Sequence, residues 1–296
     1  MASSMATAIM MNGLPGAMGH EIAAAALRRG LVLAPFALTG PGFGGEVEVD
    51  DGRGGPRVMV RLYEPSERDA LAARIAAEYP HPGSLICVDF THPSAVNSNA
   101  AFYAAHSLPF VMGTTGGDRA ALLKDTEASG VYAVIAPNMC KQIVALQAAL
   151  EKMAQDFPGA FGGYALSVVE SHQSTKADTS GTAKAVADTL AVLTGTPFDH
   201  AEITRVREPA AQLAGGGPSH TGVSPVPEAA LGGHAFHTYS LAAEGVEFQI
   251  RHNVSGRATY AEGTVDAVRF LARQVAGGAE KRVYNMMDVL KAGALS

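Results

Sequence analysis

The densest run of chemically capable residues is Glu170-Ser171-His172-Gln173-Ser174-Thr175-Lys176, followed within a few positions by Ser180-Gly181-Thr182. His172 and Lys176 stand four positions apart, and each can donate a proton or hold an anion. Ser180-Gly181-Thr182 opens a predicted helix, because Val186, Leu190 and Leu193 recur behind it at helical spacing. The start of a helix carries backbone N–H groups without intrahelical partners and the positive end of the peptide dipoles, so this turn suits a carboxylate. A solvated polar loop ending in a helix cap fits the same residues, and both readings stand at this level.

A second set lies near the start of the chain. Gly13, Gly16 and Gly19 form a G-x-x-G-x-x-G turn after the apolar run Ala8–Asn12 and before an Ala-rich helical stretch. Glycines there let the backbone approach a pyrophosphate. The next apolar run ends Ala37-Leu38-Thr39-Gly40-Pro41, with no carboxylate before Glu46. An NAD-binding strand normally ends in Asp or Glu to accept from the ribose hydroxyl. Its absence at Thr39 removes repulsion against a 2′-phosphate, so NADPH is the expected cofactor, with NADH possible. Asp89-Phe90-Thr91 and Gly113-Thr114-Thr115-Gly116 each follow an apolar run and suit a ribose or nicotinamide, or ordinary strand-to-helix turns.

These residues need elements to hold them. The first half alternates: apolar runs at Ala8–Asn12, Leu31–Leu38, Leu85–Phe90, Phe110–Met112 and Val131–Ala136 are separated by helical stretches at Ala17–Arg29, Pro65–Tyr79, Ser94–His106 and Asp118–Ala128. Near-continuous apolar strands alternating with helices predict a parallel sheet covered on both faces. After a Gly-rich stretch that begins at Gly40, the alternating segments Glu46–Val49 and Val58–Leu62 predict a hairpin insertion. The second half predicts helices at Cys140–Phe157 and Thr182–Leu193, and strands at Leu166–Glu170, Glu202–Arg207, Ala235–Ala242 and Val246–His252. Its apolar-polar alternation fits a mixed sheet with one solvated face. Thr259–Arg273 returns to helix, Val283–Leu290 follows, and Gly215-Gly216-Gly217-Pro218 is the most linker-like spot.

Composition bounds the rest. The 296 residues suffice for one or two domains, and 47% hydrophobic with 17% charged describes a chain that buries a core. A net charge of −6 without a Lys/Arg run argues against nucleic acid and anionic membrane as partners. Only Cys87 and Cys140 are present, which excludes a disulfide framework and a Cys-rich zinc site. Each apolar run is interrupted before bilayer length, and Met1–Ala6 has no basic, signal-like start.

The chain resembles the 4-hydroxy-tetrahydrodipicolinate reductase (dihydrodipicolinate reductase) family. The resemblance is carried, in order, by Gly13–Gly19 with Met18, Val88-Asp89-Phe90-Thr91, Gly113–Gly116, Ala136-Pro137-Asn138-Met139, Glu170–His172 with Lys176, Ser180–Thr182, and Ala261-Glu262-Gly263-Thr264-Val265. Gln173, and Cys140-Lys141-Gln142 after Met139, are similar to the plant and algal branch. The resemblance implies NAD(P)H-dependent reduction of 4-hydroxy-tetrahydrodipicolinate in the diaminopimelate route to lysine, with no metal. It implies an α/β fold: a Rossmann-like dinucleotide-binding domain at 1–138 and 257–296, and a mixed α/β substrate-binding and oligomerisation domain at 139–256. It gives His172 the proton, Lys176 a substrate carboxylate, and Ser180, Gly181 and Thr182 the carboxylate turn. Gly13, Gly16, Ala17 and Met18 fall to the cofactor turn. Phe90, Thr91, Gly113, Thr115, Pro137 and Asn138 fall near the nicotinamide or ribose. Gln173 cannot supply a proton, so an account with two consecutive histidines does not transfer. A small dicarboxylate partner, a homo-oligomer (dimer or tetramer), and the chloroplast stroma without its transit segment, or otherwise the cytoplasm, complete the expectation.

Two rival readings remain open: a semialdehyde or aldehyde dehydrogenase using Cys140 as nucleophile, and a non-enzymatic redox sensor that binds NADP and a partner. His234, His237 and His252 could be metal ligands, although core or surface histidines are the expected reading, and Arg251 and Arg257 are candidate anion partners.

Overall fold

The computed structural model describes residues 7–216 and 223–293. The chain divides into two compact units: the residues up to Lys141 together with those from Ala258 onward, and Gln142–Arg257. The strands in chain order are β1 (Ala8–Asn12), β2 (Val32–Leu33), β3 (Phe36–Leu38), β4 (Gly45–Val49), β5 (Val58–Tyr63), β6 (Leu85–Asp89), β7 (Phe110–Met112), β8 (Ala133–Ile135), β9 (Ala165–His172), β10 (Thr204–Val206), β11 (His234–Ala243), β12 (Val246–Ser255) and β13 (Val283–Tyr284). The helices are α1 (Ala17–Arg28), α2 (Arg68–Glu78), α3 (Val96–Ala105), α4 (Arg119–Ser129), α5 (Lys141–Asp156), α6 (Gly181–Thr194), α7 (Pro209–Leu213), α8 (Ala258–Ala276) and α9 (Met286–Lys291).

In the first unit six strands form a sheet in the order β13-β8-β7-β6-β1-β2, parallel throughout. Every residue of β1, β6, β7 and β8 is buried, which is why these segments read as near-continuous apolar runs, broken only by Asn12 and Asp89 at the ends of β1 and β6. From the centre the chain runs one way through α1 to β2 and the other way through α3 and α4 to β8. Right-handed crossovers therefore place α1 on one face and α3 and α4 on the other. The sheet and its helices are the Rossmann-like α/β arrangement expected. The run Leu31–Leu38 does not stay one strand. It breaks at Ala34-Pro35, since proline offers no N–H to a ladder, and β3 pairs in parallel with β5 instead. The predicted hairpin forms as β4 and β5, so the insertion is a three-stranded sheet.

The second unit holds a mixed sheet in the order β10-β9-β11-β12, with β9 and β10 parallel and the rest antiparallel. Leu150 of α5 and Val186, Leu190 and Leu193 of α6 pack with Val168, Tyr239 and Leu241 to make its core. The helix that opens at Gly181 is therefore amphipathic for the reason its spacing suggested. β9 runs two residues beyond the predicted end at Glu170, because Ser171 and His172 pair with Phe236 and Ala235. His172 thus stands on the sheet. Of the linker-like stretch, Gly217 and Pro218 lie outside the described residues, as does Met1–Ala6. No helix among the described residues is long and apolar enough to cross a membrane.

Candidate functional site

In the first unit the sheet order reverses beside β1, and the turns after β1 and β6 meet there. Gly13 adopts φ +109°, and a Cβ on it would stand 2.3 Å from the Phe90 carbonyl oxygen, so only glycine fits. Asn12, fully buried, fastens the strand ends: its Nδ2 donates to Tyr103 Oη at 2.8 Å, and its Oδ1 accepts from Leu38 N at 2.8 Å. α1 starts with no side-chain cap and no acidic residue in its first turn, which leaves its leading N–H groups to an anion. A cavity of about 760 Å³ opens in front of this turn, lined among others by Gly13, Gly16, Thr39, Phe90 and Thr91.

Beneath the cavity the Asp89 carboxylate is fully buried and saturated. Its Oδ1 accepts from the Thr91 and Thr114 hydroxyls, each at 2.8 Å, and its Oδ2 accepts from Asn99 Nδ2 at 2.9 Å and Tyr103 Oη at 2.6 Å. Burial, then the Asp89 charge, pushes the Tyr103 phenol well above its usual range, which keeps it a donor. This network joins the turns after β6 and β7. A Cβ at Gly113 would strike Phe90 Cζ at 2.1 Å, so Gly113 makes room for that ring.

Five of the predicted cofactor residues therefore share one cavity, and Ala17 and Met18 sit in the first turn of α1 at its edge. Gly113 acts through Phe90, while Thr115, Pro137 and Asn138 are not among the lining residues. Asn138 Oδ1 instead accepts from Cys140 N at 2.8 Å. Thr39 is 7% exposed and donates its hydroxyl to the Leu14 carbonyl at 2.7 Å, which ties the strand end to the glycine turn. The neighbouring cavity position with space for a side chain is Gly40, where a Cβ would meet only Phe43 Cδ2, at 3.6 Å. Cys140 is buried, its sulfur 3.4 Å from Thr259 Oγ1.

The second site is built by register. Val168, Tyr239 and Ile250 form one cross-strand row over the apolar core, and Glu170, His237 and His252 form the next row on the same face. His172 stands two residues further along β9. The apolar face thus becomes polar toward the end of the strand. His172 Nε2 lies 2.9 Å from His237 Nε2, and His237 Nδ1 lies 3.1 Å from Tyr239 Oη. Glu170, fully buried, takes the Arg207 guanidinium on one oxygen and Ser180 N at 2.9 Å on the other. Arg207 in turn donates to the Lys176 carbonyl at 2.9 Å and the Asp178 carbonyl at 3.2 Å. One ion pair therefore fixes both the loop that carries Lys176 and the start of α6. Gln212 Nε2 donates to the His172 carbonyl at 2.6 Å.

Burial, then the charges of Arg207, Lys176 and His234, pushes the His172 imidazole down to about 3, so it is neutral in the free protein near pH 7. Lys176 Nζ is held by Asp178 Oδ1 at 2.7 Å. α6 starts without a side-chain cap hydrogen bond or an acid in its first turn, and the space beside the Gly181 Cα is open. His172, Lys176, Ser180, Gly181 and Thr182 thus belong to one strand end, one loop and one helix start, all within the second unit.

Other candidates separate from this group. His234 points to the opposite face, with Nε2 2.9 Å from Ser171 Oγ. Arg251 is on that face too, bound to Ser224 Oγ at 3.0 Å. Glu170, His172 and His237 come within 4.8 Å of one another. Both Glu170 oxygens are taken up by Arg207 and Ser180, and the two imidazole nitrogens face each other at 2.9 Å. Sequence reasoning missed Arg207 and Gln212 as the residues that brace the site. An arginine just past a strand that runs beside β9 was the available signal for the first.

A parallel sheet with a glycine turn and an open helix start at its switch point, joined in one chain to a mixed sheet bearing a histidine, a lysine loop and a second open helix start, defines a Rossmann-type oxidoreductase. Residues 7–139 match the family model described as dihydrodipicolinate reductase, N-terminus, and residues 142–290 match dihydrodipicolinate reductase, C-terminus. The chain belongs to the dihydrodipicolinate reductase family. It is 47% identical over 290 residues to a probable 4-hydroxy-tetrahydrodipicolinate reductase 1, chloroplastic, of Oryza sativa subsp. japonica, covering 96% of this chain and 79% of that protein. It is 30% identical over 295 residues to the 4-hydroxy-tetrahydrodipicolinate reductase of Rubrobacter xylanophilus, covering 95% and 97%. Among solved structures, dipicolinate-bound dihydrodipicolinate reductase from Paenisporosarcina sp. TG-14 shares the fold at a TM-score of 0.60 and 18% identity, covering 95% of this chain and 98% of that one.

Proposed function

We propose that this chain reduces 4-hydroxy-tetrahydrodipicolinate to tetrahydrodipicolinate with a nicotinamide dinucleotide, in the diaminopimelate route to lysine. The observation that carries this is the single strand end where His172, the Lys176 loop and the uncapped start of α6 converge on a buried Glu170–Arg207 pair. That group can hold carboxylates and move a proton. The first unit fits the dinucleotide: the uncapped α1, the glycine turn and the 760 Å³ cavity can take its pyrophosphate and ribose. When bound, the nicotinamide supplies a hydride to C4 of the substrate. Lys176 and the Ser180–Thr182 turn hold the substrate's carboxylates, and His172 gives the proton that leaves with the C4 hydroxyl as water. Gly13, Gly16, Ala17 and Met18 hold the pyrophosphate. Phe90, Thr91 and Gly113 shape the cleft, and the family resemblance alone assigns Thr115, Pro137 and Asn138 to the nicotinamide side. The chloroplast named for the rice relative supports the same compartment here. A turnover assay with freshly condensed aspartate semialdehyde and pyruvate tests the reading. Absence of NAD(P)H oxidation would end it, and intact turnover in Cys140→Ser eliminates the aldehyde dehydrogenase reading.

The cofactor preference follows from the strand end. No carboxylate stands between Leu38 and Phe43, and Arg68 lines the same cavity. Wild type is expected to show a higher kcat/KM with NADPH than with NADH. Because Thr39 is tied to Leu14, the informative substitution is Gly40→Asp, which places a carboxylate in the cavity without disturbing the turn. It is expected to shift the NADPH-to-NADH ratio of kcat/KM toward NADH by about tenfold, roughly 1.4 kcal/mol. A wild type that favours NADH tenfold contradicts this assignment.

Binding should be linked to protons. His172 is neutral in the free protein, and a dianion seated beside it favours its charged form. The complex therefore has the higher histidine pKa, and ligand binding takes up protons. Pyridine-2,6-dicarboxylate added to the NADPH-bound protein is expected to show proton uptake that grows as pH falls from about 8 to about 6. Calorimetric heats in buffers of different ionisation enthalpy measure it. Zero uptake across that range would place the dianion away from His172.

A further inference from the structure

We propose that the acid of this site is a pair of histidines, with His237 the positioning residue that shares the proton of His172. The proposal rests on the reductase reading above and extends it to a histidine that sequence reasoning left without a role.

The geometry begins with the two Nε2 atoms 2.9 Å apart. At that separation one nitrogen must carry hydrogen and the other must offer its lone pair. The identity of the donor follows from the next contact. Tyr239 Oη lies 3.1 Å from His237 Nδ1 and 3.5 Å from His252 Nε2, so its better partner is His237. The phenol is 1% exposed, and burial raises it far above its usual range, so it keeps its hydrogen; in the arrangement proposed here it gives that hydrogen to its nearer partner, Nδ1. The hydrogen of a neutral His237 then sits on Nε2 and points at His172. His172 accepts it, and its own hydrogen is placed on Nδ1. A tyrosine fixed by the sheet thereby sets the tautomers of two imidazoles in series.

The same contact limits how many protons the pair can hold. Two charged rings would oppose N–H to N–H across 2.9 Å, so the pair accepts one additional proton and holds it between the nitrogens. The charges around it come from every packed element. On β9, Glu170 Oε2 lies 3.9 Å from His172 Nε2 and favours the cation. Arg207, beyond β10, and Lys176, in the loop, disfavour it. His252 on β12 is a further basic group beside His237, and burial pushes it down to about 4, so it is neutral there. Arg207 and Lys176 are themselves paired with Glu170 and Asp178 in the free protein, and a bound dicarboxylate tips the balance toward charging the pair. His237 is only 2% exposed, so its proton traffic with solvent runs through its ring partners.

The overall chemistry needs one such proton. Substrate, NAD(P)H and H⁺ give tetrahydrodipicolinate, NAD(P)⁺ and water. At C4 the C–O bond breaks and a C–H bond forms from the hydride, and the departing hydroxide takes the pair's proton. The pair returns to neutral and is recharged from solvent before the next turnover.

The test compares the full-length wild type with His237→Phe, which keeps a ring but no nitrogen, and His237→Gln, whose amide can bond to His172 but cannot carry the proton. For His237→Phe, kcat is expected to fall about 10- to 100-fold. KM should stay within about twofold, and the alkaline limb of the kcat–pH profile should move to lower pH by about one unit. His237→Gln is expected to recover part of kcat while its limb stays low. In parallel, wild type with ¹⁵N-labelled histidine is titrated with pyridine-2,6-dicarboxylate in the presence of NADPH. The ring nitrogens of His172 and His237 are expected to shift together. A folded His237→Phe that keeps wild-type kcat overturns the pair, as does one whose kcat falls while its pH limb stays put, since that is a packing effect. Movement of only one ring in the wild-type spectra overturns it too, and decides the matter if His237→Phe does not fold. An inactive wild type would instead defeat the reductase reading, which an unchanged His237→Phe leaves intact.

Discussion

Replacing His172 with alanine is expected to lower kcat by about two to four decades, the range for loss of a positioned proton donor. The substitution removes one half of the Nε2 contact with His237 and leaves the backbone anchor in place, since Gln212 bonds to the His172 carbonyl rather than to its ring. NADPH affinity should change little, because the glycine turn and its cavity belong to the other compact unit. Steady-state kinetics and a separate measurement of NADPH binding distinguish the two effects. Near-normal kcat would take His172 out of the mechanism, and a large loss of NADPH binding would show that the mutation had spread beyond its site.

The second large effect is expected at Glu170. Its carboxylate is fully buried and holds both the Arg207 guanidinium and Ser180 N. In Glu170→Ala a guanidinium that is only 16% exposed loses its counter-charge, at a cost of about 3–5 kcal/mol. For a chain of this size that corresponds to a fall in Tm of roughly 5–8 °C. The loop that carries Lys176 hangs from the same guanidinium through two carbonyls, so substrate KM should rise by at least about tenfold. Glu170→Gln keeps an acceptor for Ser180 N but loses the charge, and should fall between wild type and alanine. Thermal unfolding and steady-state kinetics check both variants. A Tm within about 2 °C of wild type, with KM unchanged, would show that the loop is held by other contacts.

The parts of this molecule readable in its sequence are those whose partners are near one another along the chain. The buried parallel strands announce themselves because both faces must be apolar, and the glycine turn because one strand end and one helix start are adjacent. His172, Lys176 and Ser180–Thr182 were legible for the same reason. Glu170 and Arg207 are 37 positions apart, His172 and His237 are 65, and Asn12 and Tyr103 are 91. No local pattern records such pairs, since register and sheet order create them. Two local signals were read less well. Pro35 marks the break between β2 and β3, yet the apolar run around it suggested one strand. The polar residues Ser171 and His172 suggested a loop, whereas backbone pairing with β11 carries the strand through them. Thr39 shows a third limit: its type and place were visible, but not that its hydroxyl is spent on Leu14.

The discontinuity of the first unit bears on how the protein is made. Ribosomal synthesis delivers residues 8–135 first, and they hold five of the six strands of the parallel sheet. The remaining strand, β13, and the helix α8 that packs against β6, β7 and β8 arrive only after the entire second unit has emerged. α8 buries Val265, Val268, Phe270 and Leu271, so until it docks the nascent sheet leaves the matching apolar face open to water. The second unit is continuous in sequence and can complete its core while the first waits. The unit that begins first on the ribosome therefore completes its sheet last, and during that interval its uncovered apolar face is open to aggregation.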